Sequence, residues 1–202
     1  MHEVGHNLNL AHSGTPCIPD PYTGTCDNNG VDQYEDRSGY MGYSYRFDNY
    51  PQMCFNAAKS YQLGWYYDRV DTYNPLDFPG QSRTFLLNGV DDYGDASVGA
   101  LISLRLKTGG PSIAEPTAAP SSAPTEEEVK PEINPDDKEN PLIEYYIGYN
   151  KATGINSATQ ENGDHLIVFE KDNGPYQYGK SRRLRVLPRG DSKRTVFWEY
   201  GG

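Results

Sequence analysis

The sequence predicts an α+β protein in which a short helical unit, 1–77, precedes a β-rich module, 78–202. Three observations predict it. Helical spacing of apolar residues is confined to two short stretches before Leu63. Beyond Asp77, β-branched and aromatic runs bounded by Gly, Asn and Pro recur to the C-terminus. A composition of 36% hydrophobic residues with 21 Gly, 15 Pro and 17 Tyr favours short strands and loops over long helices. A chain of 202 residues can bury a core without a covalent or metal staple.

Residues 1–11 read as the first helix, with Val4, Leu8 and Ala11 on one stripe and His2 and His6 one turn apart on a face. It should stop between Asn9 and Ala11. A Pro/Gly/Asn-rich loop runs to Gly39, followed by the tight segment Gly39-Tyr40-Met41-Gly42-Tyr43-Ser44-Tyr45. A second helix is expected from Asn56 to Leu63, closing the first unit near Asp77.

Strands are expected at Arg83 to Asn88, Val98 to Leu106, Leu142 to Asn150, His165 to Glu170, Leu184 to Leu187 and Thr195 to Tyr200. Runs such as Thr84-Phe85-Leu86-Leu87 and Glu144-Tyr145-Tyr146-Ile147 suit a pleated surface, and their number suggests a β-sandwich-like module. Residues 109–140 interrupt it with Pro, Ala, Ser, Thr and Glu and almost no large apolar side chain. Such a segment buries too little to offset its ordering entropy and reads as a disordered insertion, with an interdomain linker as the alternative.

Between Pro111 and Pro141, eight acids face Lys130 and Lys138, so this stretch carries −6 of the formal charge of −10. The acidity argues against nucleic acid as a partner. No apolar run approaches the ~20 residues a membrane helix needs. Cys17, Cys26 and Cys54 do not match a zinc-finger spacing. A disulfide between Cys17 and Cys26 could close the short loop they bracket, leaving one thiol over.

Chemistry concentrates in His2-Glu3-Val4-Gly5-His6-Asn7-Leu8-Asn9-Leu10-Ala11-His12. Histidines at i and i+4 on a helix can both reach one zinc ion at about 2.0–2.1 Å. Glu3 is displaced from them by about a hundred degrees, which suits a general base that reaches water without occupying the metal. A chance His-Glu-x-x-His on a solvated helix face is the competing reading. His12 argues against it, because a third ligand six residues after His6 can join only if the helix breaks between them. Three neutral histidines leave a fourth zinc position open.

These residues resemble the metzincins and, within them, the gametolysin family of metallopeptidases. The closer similarity is carried by the His-Glu-Val-Gly-His-Asn-Leu-Asn-Leu-Ala-His-Ser run, Tyr34-Glu35-Asp36-Arg37-Ser38-Gly39-Tyr40-Met41-Gly42 and the segment from Cys54 to Trp65. Tyr145 to Asn150 and Thr153 to Ser157 also resemble that family's C-terminal part, so the resemblance spans most of the chain except the acidic insertion. The resemblance implies that the helix breaks three residues after the second His, where the family has Gly and this chain has Asn9, the residue type that tolerates the left-handed region best after Gly.

The resemblance implies the C-terminal part of a metzincin catalytic domain, with active-site helix, Met-turn and second helix, before the β module. It implies Zn2+ held by His2, His6 and His12, Glu3 as base, Met41 as the Met-turn floor and Tyr43 near the reacting centre. It further implies a secreted zinc endopeptidase acting on extracellular-matrix or cell-wall proteins and glycoproteins. Because the first ligand is residue 2, Met1 is expected to be internal to a longer protein whose upper catalytic subdomain precedes the motif. Weak or no peptidase activity is expected without that subdomain, even with zinc bound. The alternative is a non-catalytic extracellular β-module protein carrying an inactive protease remnant. Arg189-Gly190-Asp191, the acidic turns at Asp27 to Asp32 and Asp91 to Asp95, and His165 read as ordinary turn or surface residues.

Overall fold

The computed structural model describes residues 1–16, 31–42, 53–94, 100–107, 143–172, 174–187 and 195–197, the pairs and triplet at 31–32 and 195–197 by backbone. Tyr43, Cys17, Cys26, the 109–140 insertion, Arg189 to Asp191, Asp27 and Asp95 lie outside the described residues. The chain is mixed α+β with few helices. No helix among the described residues is long and apolar enough to cross a membrane.

Helix α1 (His2–Asn7) leads into strands β1 (Ser13–Pro16) and β2 (Val31–Asp32), then α2 (Ala57–Gln62) and β3 (Val70–Tyr73). Strands β4 (Thr84–Leu86), β5 (Ser103–Leu106), β6 (Glu144–Asn150), β7 (His165–Lys171), β8 (Ser181–Leu187) and β9 (Thr195–Phe197) follow. Six strands form one mixed sheet, and the two-residue β2 extends it to seven in the order β2-β1-β8-β7-β6-β5-β3. β4 and β9 pair antiparallel as a separate ribbon.

The middle of the sheet is the antiparallel run β5 to β8. On its two sides stand strands from the N-terminal segment, β1 parallel to β8 and β3 parallel to β5. The sandwich expected for 78–202 is therefore corrected, because the described strands build one large sheet that recruits β1 and β3 rather than two comparable sheets face to face. Its cause lies in the sequence of β6 and β7, which is apolar on both faces. Tyr146, Ile167 and Phe169 meet Ala58 and Tyr61 of α2 on one side, while Leu104, Leu106, Ile147 and Leu166 meet Leu87 and Phe85 on the other. Each large apolar side chain so buried contributes about 1.5–3 kcal/mol.

α2 starts where expected because Asn56 caps it, its Oδ1 accepting from the Lys59 amide at 3.0 Å. Asn56 also donates to Asp36 at 3.1 Å and to Ser13 Oγ at 2.7 Å, while the Ser181 hydroxyl donates to Ser13 Oγ at 2.9 Å. Asp36, fully buried, further accepts from Ser13 at 2.6 Å and from Ser38. This satisfied network ties β1, the 33–42 segment, α2 and β8 into one piece.

Lys59 and Lys171 are fully buried against residues 174–179. Lys59 Nζ donates to Gly179 O at 2.7 Å, and Lys171 Nζ to Gly174 O at 2.6 Å and Gln177 O at 2.7 Å. Burial pushes the Lys59 ammonium down to about 7 and Lys171 down to about 8, from an ordinary 10.5. Between pH 7 and 8.5 the unfolded chain thus binds more protons than the folded one, so stability rises with pH and is lost as pH falls through about 8 and then about 7. We expect a higher melting temperature at pH 8.5 than at pH 7, and a flatter profile in Lys59→Met. A profile identical in the variant would refute the assignment. The window stops below 9 because Cys54, pushed up to about 11 by burial, acts in the opposite direction there.

Candidate metal centre

Two histidines come from a helix of six residues, too short to persist alone in water. Tertiary contacts hold it. Gly5 lies directly against Met41, so a Cβ there would overlap the Met41 sulfur. Met41, 1% exposed, packs with Leu10 and Phe55 beneath α1. The expected stripe is corrected: Val4 and Leu8 are 47% and 42% exposed, since the helix turns its His2 and Gly5 side to the Met41 floor. Ala11 is buried but lies beyond the helix.

The helix ends through a left-handed residue. Asn9 has φ 62°, the Asn9 amide donates to His6 O at 3.0 Å and the Leu10 amide to Gly5 O at 3.0 Å. This paired closure satisfies two terminal carbonyls and reverses the chain's course. Gln62 of α2 holds the corner, donating to Asn9 O at 2.8 Å. His12 then precedes β1, with its carbonyl accepting from the Ser181 amide at 3.1 Å and the next amide, Ser13, donating to Met41 O at 2.7 Å.

The result brings His2, His6 and His12 together, with one ligand atom of each within 4.8 Å of the others. Their ring centroids are 4.9 Å (His2–His6), 5.4 Å (His2–His12) and 4.9 Å (His6–His12) apart. His2 Nδ1 lies 2.7 Å from Tyr40 O, and His6 Nδ1 2.9 Å from Leu10 O. A carbonyl oxygen only accepts, so each Nδ1 carries the proton and each Nε2 keeps its lone pair. His12 Nδ1 is 3.3 Å from Gln33 Oε1, the amide orientation that assigns it the same tautomer. Burial lowers the pKa of His2 and of His12, favouring the neutral imidazoles that a metal requires.

The donor set fits zinc: three neutral nitrogens converge, and each outer nitrogen is anchored to an oxygen that fixes ring orientation. Glu3 follows His2 on α1 and is solvent-exposed. Met41 forms the floor and makes no part of the donor set. The turn carrying Met41 is tight because a Cβ on Gly42 would overlap the backbone oxygen of Asp36. His165 stands apart from the cluster, its Nδ1 donating to Gly163 O at 2.6 Å. Cys54 carries a free thiol.

Sequence reasoning assigned no role to Gln33, and none to the aromatic ring beside it. Tyr34 packs 4.4 Å from the His12 ring and 6.4 Å from that of His2. Neither residue stands in a periodic pattern or at a fixed offset from the His motif, so no local signal marks them. Tyr40 O and Leu10 O act through the backbone and leave no trace in residue type.

Comparison with family models, curated proteins and solved structures returns no match to this chain.

Proposed function

We propose that this chain carries the metal centre of a zinc-dependent endopeptidase of the gametolysin-type metzincin class, acting on extracellular protein or glycoprotein substrates. The observation that carries the reading is the convergence of three histidines, one ligand atom of each within 4.8 Å of the others, while each Nδ1 stands within hydrogen-bond distance of an oxygen. In this reading α1, the Met41 turn and α2 are the C-terminal part of a metzincin catalytic domain, and the strands beyond Asp77 are the module that follows it. Secretion belongs to the same family resemblance.

A bound metal would supply Lewis acidity towards a substrate carbonyl and lower the pKa of water. His2, His6 and His12 would hold it. Glu3, exposed beside His2, takes the proton released as water adds to the scissile carbonyl and delivers it to the departing amine nitrogen as the C–N bond breaks. Met41 supports α1 from below and keeps His2 and His6 in register with His12.

The test is metal content after exhaustive dialysis. One zinc per chain is expected, falling to none in His12→Ala, and a zinc-free parent chain would end the proposal. In parallel, Glu3→Gln should retain zinc while losing about 10²–10⁴-fold in hydrolysis of a protein substrate. Hydrolysis unaffected by that change would remove Glu3 as the base.

A further inference from the structure

The three histidines are not equivalent in how they are held. His2 and His6 lean on main-chain carbonyls that cannot move independently of α1 and the Met41 turn, whereas His12 leans on the side-chain amide of Gln33. The next residue, Tyr34, lays its ring against His12 and His2, at 4.4 Å and 47° to the first and 6.4 Å and 29° to the second. His6 has no ring contact with Tyr34. Tyr34 therefore covers one edge of the cluster.

Two further properties distinguish it from a packing residue. Tyr34 is 45% exposed, so its ring stands at the border between the histidines and solvent. Its contacts with the described residues are made by the ring, and its hydroxyl makes no hydrogen bond among them. A half-exposed aromatic side chain held on two ligand rings, with a free donor, is suited to meet whatever approaches from the open side of the cluster.

We propose that Tyr34 is a ligand-contacting residue of the metal centre, its ring walling the open side and its phenol donating a hydrogen bond to an oxygen ligand held there. The ligand class is a carbonyl, carboxylate or hydroxamate oxygen. Gln33 is the positioning residue, holding His12 and setting where the chain enters Tyr34. This rests on the three-histidine cluster holding a metal ion, as proposed above, and adds a recognition role that the His motif does not contain.

The test loads the full chain with Co2+, whose visible absorption reports the ligands around the ion, and titrates acetohydroxamate into it. Tyr34→Phe keeps the ring and removes only the donor. It is expected to take up Co2+ with the parent's affinity and to bind acetohydroxamate about 3- to 10-fold more weakly, the loss of one hydrogen bond. Tyr34→Leu, which also removes the ring, should weaken acetohydroxamate further. Equal acetohydroxamate affinity in the parent and Tyr34→Phe would overturn the role of Tyr34 while leaving the metal site standing. Absence of any Co2+ spectrum from the parent before acetohydroxamate is added would overturn the metal reading and this proposal with it, so the two failures are told apart at the first step.

Discussion

Replacing Glu144 with Leu is expected to destabilise the chain by about 3–5 kcal/mol in a denaturant titration, because it strands a buried charge. Arg105 and Glu144 are 5% and 7% exposed, on the face of the sheet covered by α2. Arg105 Nε donates to Glu144 Oε2 at 2.8 Å and its terminal nitrogen pairs with Oε1. Tyr146, fully buried, donates to Glu144 Oε2 at 2.8 Å, and the guanidinium lies 5.5 Å from the centre of the Tyr61 ring. Burial opposes the charged guanidinium, yet hydrogen bonds with Glu144 and Tyr61 outweigh it and raise the Arg105 pKa.

The informative comparison is the double variant Arg105→Met with Glu144→Leu. Removing both charges should recover all but about 1–3 kcal/mol, the remainder reflecting the Tyr146 hydroxyl left without its acceptor. If the double variant is no more stable than Glu144→Leu alone, the pair is not the coupled unit its geometry indicates. The cluster fastens β5 and β6 to α2, so its loss should also loosen the contacts that Gln62 and Asn56 of that region make with the segment carrying the three histidines.

Zinc at about a thousand times its dissociation constant is expected to stabilise the folded chain by about 4 kcal/mol, and a chelator should reverse this completely. The expectation follows from where the ligands stand. His2 and His6 lie on a helix held by tertiary contacts, and His12 lies past a left-handed corner, so an unfolded chain does not present the three together. His6→Ala should abolish the zinc-dependent shift in melting temperature while changing the metal-free melting temperature little. A parent chain whose melting is indifferent to zinc and chelator would mean that the cluster does not hold the metal.

Much of the candidate site was legible before folding because its information is local. The i, i+4 spacing of His2 and His6 puts both rings on one helical face, and Asn9, which takes the corner with φ 62°, is of the residue type that tolerates positive φ best after Gly. The cap of α2 at Asn56 was legible for the same reason, since an Asn side chain acts within one turn. Strands β4 to β8 matched their β-branched and aromatic runs to within a few residues, with β5 and β8 starting at Ser103 and Ser181 instead of Val98 and Leu184.

What was missed depends on contacts across long separations. β1, Ser13-Gly14-Thr15-Pro16, carries no strand signal, and β3, Val70-Asp71-Thr72-Tyr73, has β-branched and aromatic residues but is too short to stand out as a strand from its sequence alone. They exist because β8 and β5 offer open hydrogen-bonding edges, with Ser13 opposite Ser181 and Val70 opposite Ser103. The network of Ser13, Asp36, Asn56 and Ser181 is equally invisible, being four common polar residues until the fold places them together and excludes water.

The sequence by itself therefore determined the helix that carries two histidines, the corner that admits the third, the neutral three-nitrogen donor set and most of the strands. Those features follow from backbone preference and side-chain spacing over a few residues. Only the tertiary structure decided that strands from both parts of the chain share one sheet, that Gln33 and Tyr34 stand against the clustered histidines, and that Val4 and Leu8 face outward. Each of these is chosen by competition among partners far apart in sequence, where burial and hydrogen-bond satisfaction, not local propensity, select the outcome.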